Sequence, residues 1–408
     1  MEPKDYWSRK TNPETGGKFE HFKKYMECTQ NGKADIDALL ATEYGCEMTR
    51  MLELRFRFEE QPPMCPAVLD YYGKIGISKQ MFGMDDFFKR WALFSPIKLN
   101  SKKRYPLLIW NHGGKETIEE EEYVTHLIPN AAKEEYIVIM AQDTSWENIV
   151  DIIGQAGDIM PIDLERVYIG GFSQGGRLAG AAALNAPEKF AAVVLNGGPI
   201  FDTTDNHGKP FHLLQIQHMT EMMVPFLQIQ NQCDVSNVVP LNVYRPRQDT
   251  PHVDNRTYVN PEYSMEKDPT YLYSGTTRER INPPQQGDVR YWLMDLLNLR
   301  MATLHCDFRD PQTCIDYADA AEDEFHRTLG FYGDEERTEL LYGVKHYMVD
   351  IFSREGLNTF RYIMVANTNH WPPVTLGELM WDFCRQFRRD AKTGAIVHDV
   401  YRAAEGQT

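Results

Sequence analysis

Gly171-Phe172-Ser173-Gln174-Gly175, with Gly176 next, sets a nucleophilic hydroxyl between glycines placed two before and two after it. A serine framed this way can occupy a tight strand-to-helix turn, the nucleophile elbow, in which the glycines leave room for the crossing. The flanks suit that turn: Val167-Tyr168-Ile169 is β-rich on entry, and Arg177-Leu178-Ala179 through Leu184 forms a small-residue helix on exit. A helix that starts beneath the serine turns the positive end of its dipole toward it and favours developing negative charge. The chemistry to expect is attack by Ser173 on an acyl carbon.

A serine hydroxyl is a weak nucleophile, so it needs a base, and the base needs an orienting acid. On this kind of scaffold the chain order is Ser, acid, His. Asp234 stands just past the apolar run Pro225–Gln230, with Asp249 and Asp254 as rivals further on. Six histidines follow Asp234. His326 and His346 fall in helical patterns, His252 and His305 in an inserted stretch, and His398 near the tail. His370 directly follows a strand, Tyr362–Val365, in the loop Asn367-Thr368-Asn369-His370-Trp371-Pro372, so it is the expected base. Trp371 beside it is a candidate substrate contact. The oxyanion needs backbone N–H donors. The amide of Gln174 is one, and the loop Asn111-His112-Gly113-Gly114, after a strand ending at Trp110, offers Gly113 and Gly114. His112 is expected to hydrogen-bond structurally and not to act as base.

The elements that must position these residues alternate. Strands are expected at 52–58, 91–99, 105–110, 136–140, 166–170, 191–195, 225–230 and 360–365, separated by helices near 123–135, 146–156 and after Ser173. That rhythm predicts an α/β fold with a mostly parallel sheet and helices on both faces. Residues 1–48 read as a helical N-terminal extension. Residues 49–240 and 336–398 read as the core, and 241–335, rich in Pro and Tyr with a helix at 291–303, as an insertion before the last strand. Its tyrosines, Tyr258, Tyr263, Tyr271, Tyr273 and Tyr291, with Trp292, could line a lid pocket or simply pack a subdomain. A final helix, Leu376–Phe387, sets Leu376, Leu379, Met380, Phe383 and Phe387 on one face. The Glu119–Glu122 run reads as a solvated helix face.

Of the 408 residues, 42% are hydrophobic and 25% charged, an ordinary globular balance. A formal charge of -16 argues against a phosphate-backbone partner. No apolar run is long enough for a membrane span. Met1 to Lys10 lacks the apolar core of a signal peptide, which makes the cytoplasm the expected location; secretion stays open where a leader has been removed. Seven scattered cysteines show no zinc spacing and fit reduced thiols, with Cys306–Cys314 a pairing to consider for an exported protein. Asn255-Arg256-Thr257 is a glycosylation triplet that matters only on secretion. Gly113-Gly114-Lys115 lacks the spacing of a phosphate loop, and no metal or cofactor is expected.

Tyr105 through the His112-Gly113-Gly114 loop, then Ile162-Asp163-Leu164-Glu165-Arg166-Val167-Tyr168 into the elbow, resembles the polyhydroxybutyrate depolymerase-like and feruloyl/acetylxylan esterase group of the α/β-hydrolase superfamily. The resemblance spans about residues 90–240 and 336–390. It implies a cofactor-free carboxylesterase acting on a small-molecule ester, with Ser173, His370 and Asp234 as triad and the Gly113 loop with Gln174 as oxyanion hole. The chain departs from the group in three places. Gln230-Asn231-Gln232-Cys233-Asp234 replaces the usual His-Gly-x-x-Asp, with Asn231 able to adopt the left-handed backbone of the glycine. His370-Trp371-Pro372 shortens a common His-Thr-Trp-Pro, and the long insertion is atypical. Two other classes stay in view: a prolyl-oligopeptidase-type peptidase, although no propeller-like repeat precedes the core, and a non-catalytic binding protein on the same scaffold.

Overall fold

The computed structural model describes residues 66–86, 88–114, 116–125, 127–201, 213–231, 289–329, 331–366 and 372–403. The expected 1–48 extension, the strand at 52–58, the Tyr-rich part of the insertion, Asp249, Asp254 and His252 lie outside them.

Five runs form the centre of the structure: β3 (Tyr105–Asn111), β4 (Ile137–Ala141), β6 (Ala192–Asn196), β7 (Phe226–Asn231) and the end of β5 (Ile162–Phe172). Every residue of the first four is buried, as is the second half of β5, the pattern of parallel strands covered on both faces. β1 (Ile77–Phe82), β2 (Trp91–Pro96), β8 (Glu335–Leu341), β9 (Val344–Phe352) and β10 (Asn358–Val365) complete a ten-stranded sheet in the order β1-β2-β4-β3-β5-β6-β7-β10-β9-β8. Strands from β4 through β10 in that order run parallel; β1, β2, β9 and β8 are antiparallel to their neighbours. β1, β8 and β9 are absent from the expected set.

Helices cover both faces. One core joins the sheet to α4 (Trp146–Ile159) and α5 (Gln174–Asn185), and to α6 (Leu213–Met222) and α7 (Val289–Thr303), which follow further along the chain. Met294, Leu297 and Met301 of α7 pack there, so this part of the inserted stretch is built into the main core. The opposite core takes α1 (Pro66–Lys74), α2 (Ile118–Val124), α3 (Leu127–Glu134) and, near the C-terminus, α10 (Leu376–Cys384). Two short helices, α8 (Pro311–Ala320) and α9 (Glu324–Leu329), lead into β8. α10 stops at Cys384, short of the expected Phe387. Phe387 opens the hairpin β11 (Phe387–Arg389)–β12 (Ile396–His398) and stays buried against Phe383.

The Asp163–Arg166 stretch interrupts β5, where pairing with β3 jumps from Tyr105↔Ile162 to Leu107↔Val167. The extra residues pin the C-terminal hairpin. Arg166 bonds Asp399 at 2.8 Å, Glu165 bonds Arg388 at 3.2 Å, and the Tyr168 hydroxyl donates to Phe387 O at 2.9 Å. That part of the family-like motif is therefore architectural.

The Glu119–Glu122 run is not solvated; all four residues are buried. Each carboxylate has its own partner, as burial of charge demands. Glu119 meets Arg90 Nη2 at 2.7 Å, and Glu120 closes a capping box with Thr117. Glu121 accepts from Trp110 Nε1 at 2.6 Å. Glu122 accepts from Lys79 Nζ at 2.5 Å and from the Tyr72 hydroxyl at 2.6 Å. His346, expected in a helix, lies on β9. Cys306, Cys314 and Cys384 are free and buried. Among the described residues no helix is long and apolar enough to cross a membrane, and no group of three or more His, Cys, Asp or Glu is arranged to hold a metal.

Candidate active site

Ser173 sits between the last residue of β5 and the first of α5, with φ 54° and ψ −116°. This backbone region is sparsely populated by any residue with a side chain, at a cost of about 1–3 kcal/mol. The surroundings hold it there. Ser173 N–H donates to Asn196 O at 2.8 Å, and its carbonyl accepts from Arg177 N–H at 3.1 Å. The side chain is partly exposed, at the carboxyl edge of the sheet.

The glycines explain why the turn can close. A Cβ on Gly171 would lie 2.3 Å from the Gly175 carbonyl carbon and 2.8 Å from Asn111 O. On Gly175 it would lie 2.2 Å from Asn111 O and 2.5 Å from His112 O. The first turn of α5 is therefore pressed directly onto the loop that follows β3. That contact brings Gly113 and Gly114 to the elbow: a Cβ on Gly114 would meet Gln174 Oε1 at 2.9 Å, and one on Gly113 would meet Phe172 Cδ1 at 3.0 Å. Ser173, Gln174, Gly113 and Gly114 thus form one cluster at the N-terminus of a 12-residue helix, where backbone N–H groups have no intrahelical acceptor. Such a pocket can hold an oxyanion next to a hydroxyl.

Supporting residues that sequence reasoning missed surround this cluster. The Glu116 carboxylate fills the space beside Gly113, its Oε2 2.2 Å from where a Cβ would stand. Gln142 Nε2 donates to Glu116 O at 3.1 Å, and His112 Nε2 lies 3.0 Å from Gln142 O. With Nδ1 at 2.8 Å from Gly113 O, His112 is spent on shaping the loop, as expected of it. Asn196, fully buried at the end of β6, receives the Ser173 amide and donates from Nδ2 to Ile229 O at 3.3 Å. Only its place at a strand end, ahead of Gly197-Gly198, could have marked it.

Asp234, His370 and Trp371 lie outside the described residues, but the strands that lead to them do not. The register Phe172↔Asn196, Asn196↔Ile229 and Ile229↔Ile363 aligns the ends of β5, β6, β7 and β10. β7 ends at Asn231, paired with Val365 of β10. Asn231 stays extended as a strand residue and does not use the left-handed backbone that an asparagine can adopt there. The chain thus leaves for residues 234 and 370 at the edge that carries Ser173. β10 stands three strand spacings from β5, roughly 14 Å, while the five residues from Val365 to His370 can reach about 17 Å.

Three of the described histidines downstream of the elbow are engaged elsewhere. His326 lies between Asp323 (2.6 Å) and Glu336 (2.8 Å). Burial opposes its charge, but these carboxylates outweigh it and raise its pKa. His305 meets Thr220 O and Glu355. His346 has both nitrogens bonded, and burial pushes it down to about 4.

The model of the phospholipase/carboxylesterase family matches residues 122–243, the segment that contains the elbow. Among solved structures, the chain is similar to an acetyl xylan esterase from Aspergillus awamori, at 13% identity over 75% of this chain and 98% of that one, with a TM-score of 0.40. It is also similar to an S-formylglutathione hydrolase from Staphylococcus aureus, at 14% identity over 39% and 78%, TM-score 0.32. An acylaminoacyl peptidase from Pyrococcus horikoshii matches at 14% identity over 39% of this chain and 33% of that one, TM-score 0.30. No curated protein matches the chain.

Proposed function

We infer that this carboxylic ester hydrolase of the α/β-hydrolase fold works through an acyl-enzyme on Ser173, with His370 as base and Asp234 as its orienting acid. Ser173 Oγ attacks the ester carbonyl as His370 takes its proton, and Asp234 fixes the imidazole tautomer and stabilises its charged form. The amides of Gln174 and of the Gly113–Gly114 loop receive the oxyanion. The alcohol departs with the proton from His370, and water, activated by the same imidazole, releases the acid. The substrates proposed are esters of short acyl or aromatic, hydroxycinnamoyl-type acids, with Trp371 beside the acyl group.

The observation that carries this reading is the backbone of Ser173, held at φ 54° between two crowded glycines with Gly114 against Gln174. Strain of this kind persists where the surroundings over-determine it, and here they hold Ser173 where the first turn of α5 meets the Gly113–Gly114 loop. A panel of 4-nitrophenyl esters against aminoacyl-4-nitroanilides tests the function. Turnover of the esters, lost by several orders of magnitude in Ser173→Ala, is the expected result; preference for the anilides would favour the peptidase reading, and turnover of neither would favour a binding protein.

A further inference from the structure

β9 borders β10 on the side away from Ser173, and two of its residues hold both ends of the stretch that contains His370. The pairing of β9 with β10 runs to Val365↔His346, and the Ala366 amide donates to Lys345 O at 2.9 Å. The chain then passes through residues 367–371, outside the described set, and returns to Thr375, which precedes α10. Thr375 stands at an N-cap position where a hydroxyl ordinarily accepts from the helix backbone. It makes no such bond, and its own backbone is helical, at φ −81° and ψ −3°. Its hydroxyl instead lies 2.9 Å from Nε2 of His346.

The ring's other nitrogen, Nδ1, is 2.9 Å from Val344 O. A carbonyl can only accept, so Nδ1 carries the proton, Nε2 is the acceptor, and Thr375 Oγ1 donates. His346 and Thr375 are each 1% exposed, so water offers neither group an alternative partner. Burial keeps the ring neutral, the form this bond needs. Lys345 therefore holds the departure of the excursion and His346 its return, on consecutive residues of one strand.

We propose that the His346–Thr375 hydrogen bond positions the His370 loop, making His346 a positioning residue for the proton transfer. The proposal rests on the reading of His370 as base. A displacement of about 1 Å at a reacting group can lower a rate about 100-fold, which sets the size of the effect expected when this clasp on Thr375 is released.

Thr375→Val keeps the shape of the side chain and removes its hydroxyl; Thr375→Ser keeps the hydroxyl. On 4-nitrophenyl acetate, Thr375→Val is expected to lose about 10- to 100-fold in kcat, with KM within about twofold of the parent. Thr375→Ser should stay near the parent. His346→Gln, whose amide oxygen can accept at about the position of Nε2, should lose less than His346→Asn, whose shorter side chain reaches only the position of Nδ1, and His346→Asn with Thr375→Val should be little worse than the poorer single variant. Melting curves identify folded samples, and if Thr375→Val does not fold, the order His346→Gln above His346→Asn decides. Folded Thr375→Val with more than half the parental kcat, or the reverse order of the His346 variants, overturns the clasp. His370→Ala runs alongside. Loss of turnover there with Thr375→Val unimpaired removes the clasp alone, whereas an active His370→Ala removes the base assignment and the clasp with it.

Discussion

Gly175→Ala would put a methyl group 2.2 Å from Asn111 O and 2.5 Å from His112 O. Cβ atoms essentially never come within 3.0 Å of another heavy atom, so the first turn of α5 and the loop after β3 must separate by nearly 1 Å. Both obstructing atoms belong to the backbone, and no rotamer relieves the clash. The cost in stability is that of overpacking, about 1–3 kcal/mol. The larger effect falls on the proposed oxyanion pocket, whose two sides are the parts driven apart. Loss of one donor lowers kcat about 100- to 1,000-fold. Stopped-flow assay of 4-nitrophenyl acetate hydrolysis, with a melting curve on the same sample, separates the two effects. Gly154→Ala is the control: a Cβ there has nothing within 4 Å, and it lies within helix α4. That variant should gain up to about 1 kcal/mol and keep its kcat. A folded Gly175→Ala with kcat within twofold of the parent would refute the idea that contact between these two segments builds the pocket.

The buried Lys79–Glu122 pair, with side chains 1% and 3% exposed, is expected to be costly to break. Glu122→Gln should lose about 3–5 kcal/mol in urea unfolding, and Lys79→Met with Glu122→Leu should recover much of it; a loss under 1 kcal/mol for the single change would contradict this. His326 has a folded pKa raised by Asp323 and Glu336 despite partial burial. Its contribution to stability is therefore complete below the unfolded value near 6.5 and fades as pH rises through the folded one. His326→Ala should cost more stability at pH 5.5 than at pH 8.5, and an equal or opposite difference would show that the carboxylates do not act on a charged ring.

The central strands were legible because burial on both faces requires unbroken apolar runs such as Leu107-Leu108-Ile109 and Ala192-Val193-Val194-Leu195. The elbow was legible because its glycines are dictated by contacts within a few residues and with one loop. The outer strands were not. β8, Glu335-Glu336-Arg337-Thr338-Glu339-Leu340-Leu341, is an edge with largely solvated side chains, so little hydrophobic pattern marks it. On β9 the apolar residues Val344, Tyr347, Met348 and Ile351 recur at helical spacing, but the strand is buried on both faces, with Val349 apolar as well and with His346 and Asp350 buried as paired polar groups. The acidic run was misread for a related reason. Composition marks four glutamates as surface, while the partners that bury them, Tyr72, Lys79, Arg90 and Trp110, are distant in sequence or belong to other elements.

The central claim is that Ser173 is an activated hydroxyl. Folded protein treated with a fluorophosphonate probe, digested and read by mass spectrometry should carry one adduct, on the peptide containing Gly171-Phe172-Ser173-Gln174-Gly175, and heat-denatured protein should carry none. Absence of label in the folded protein, or a label on another residue, would contradict the account.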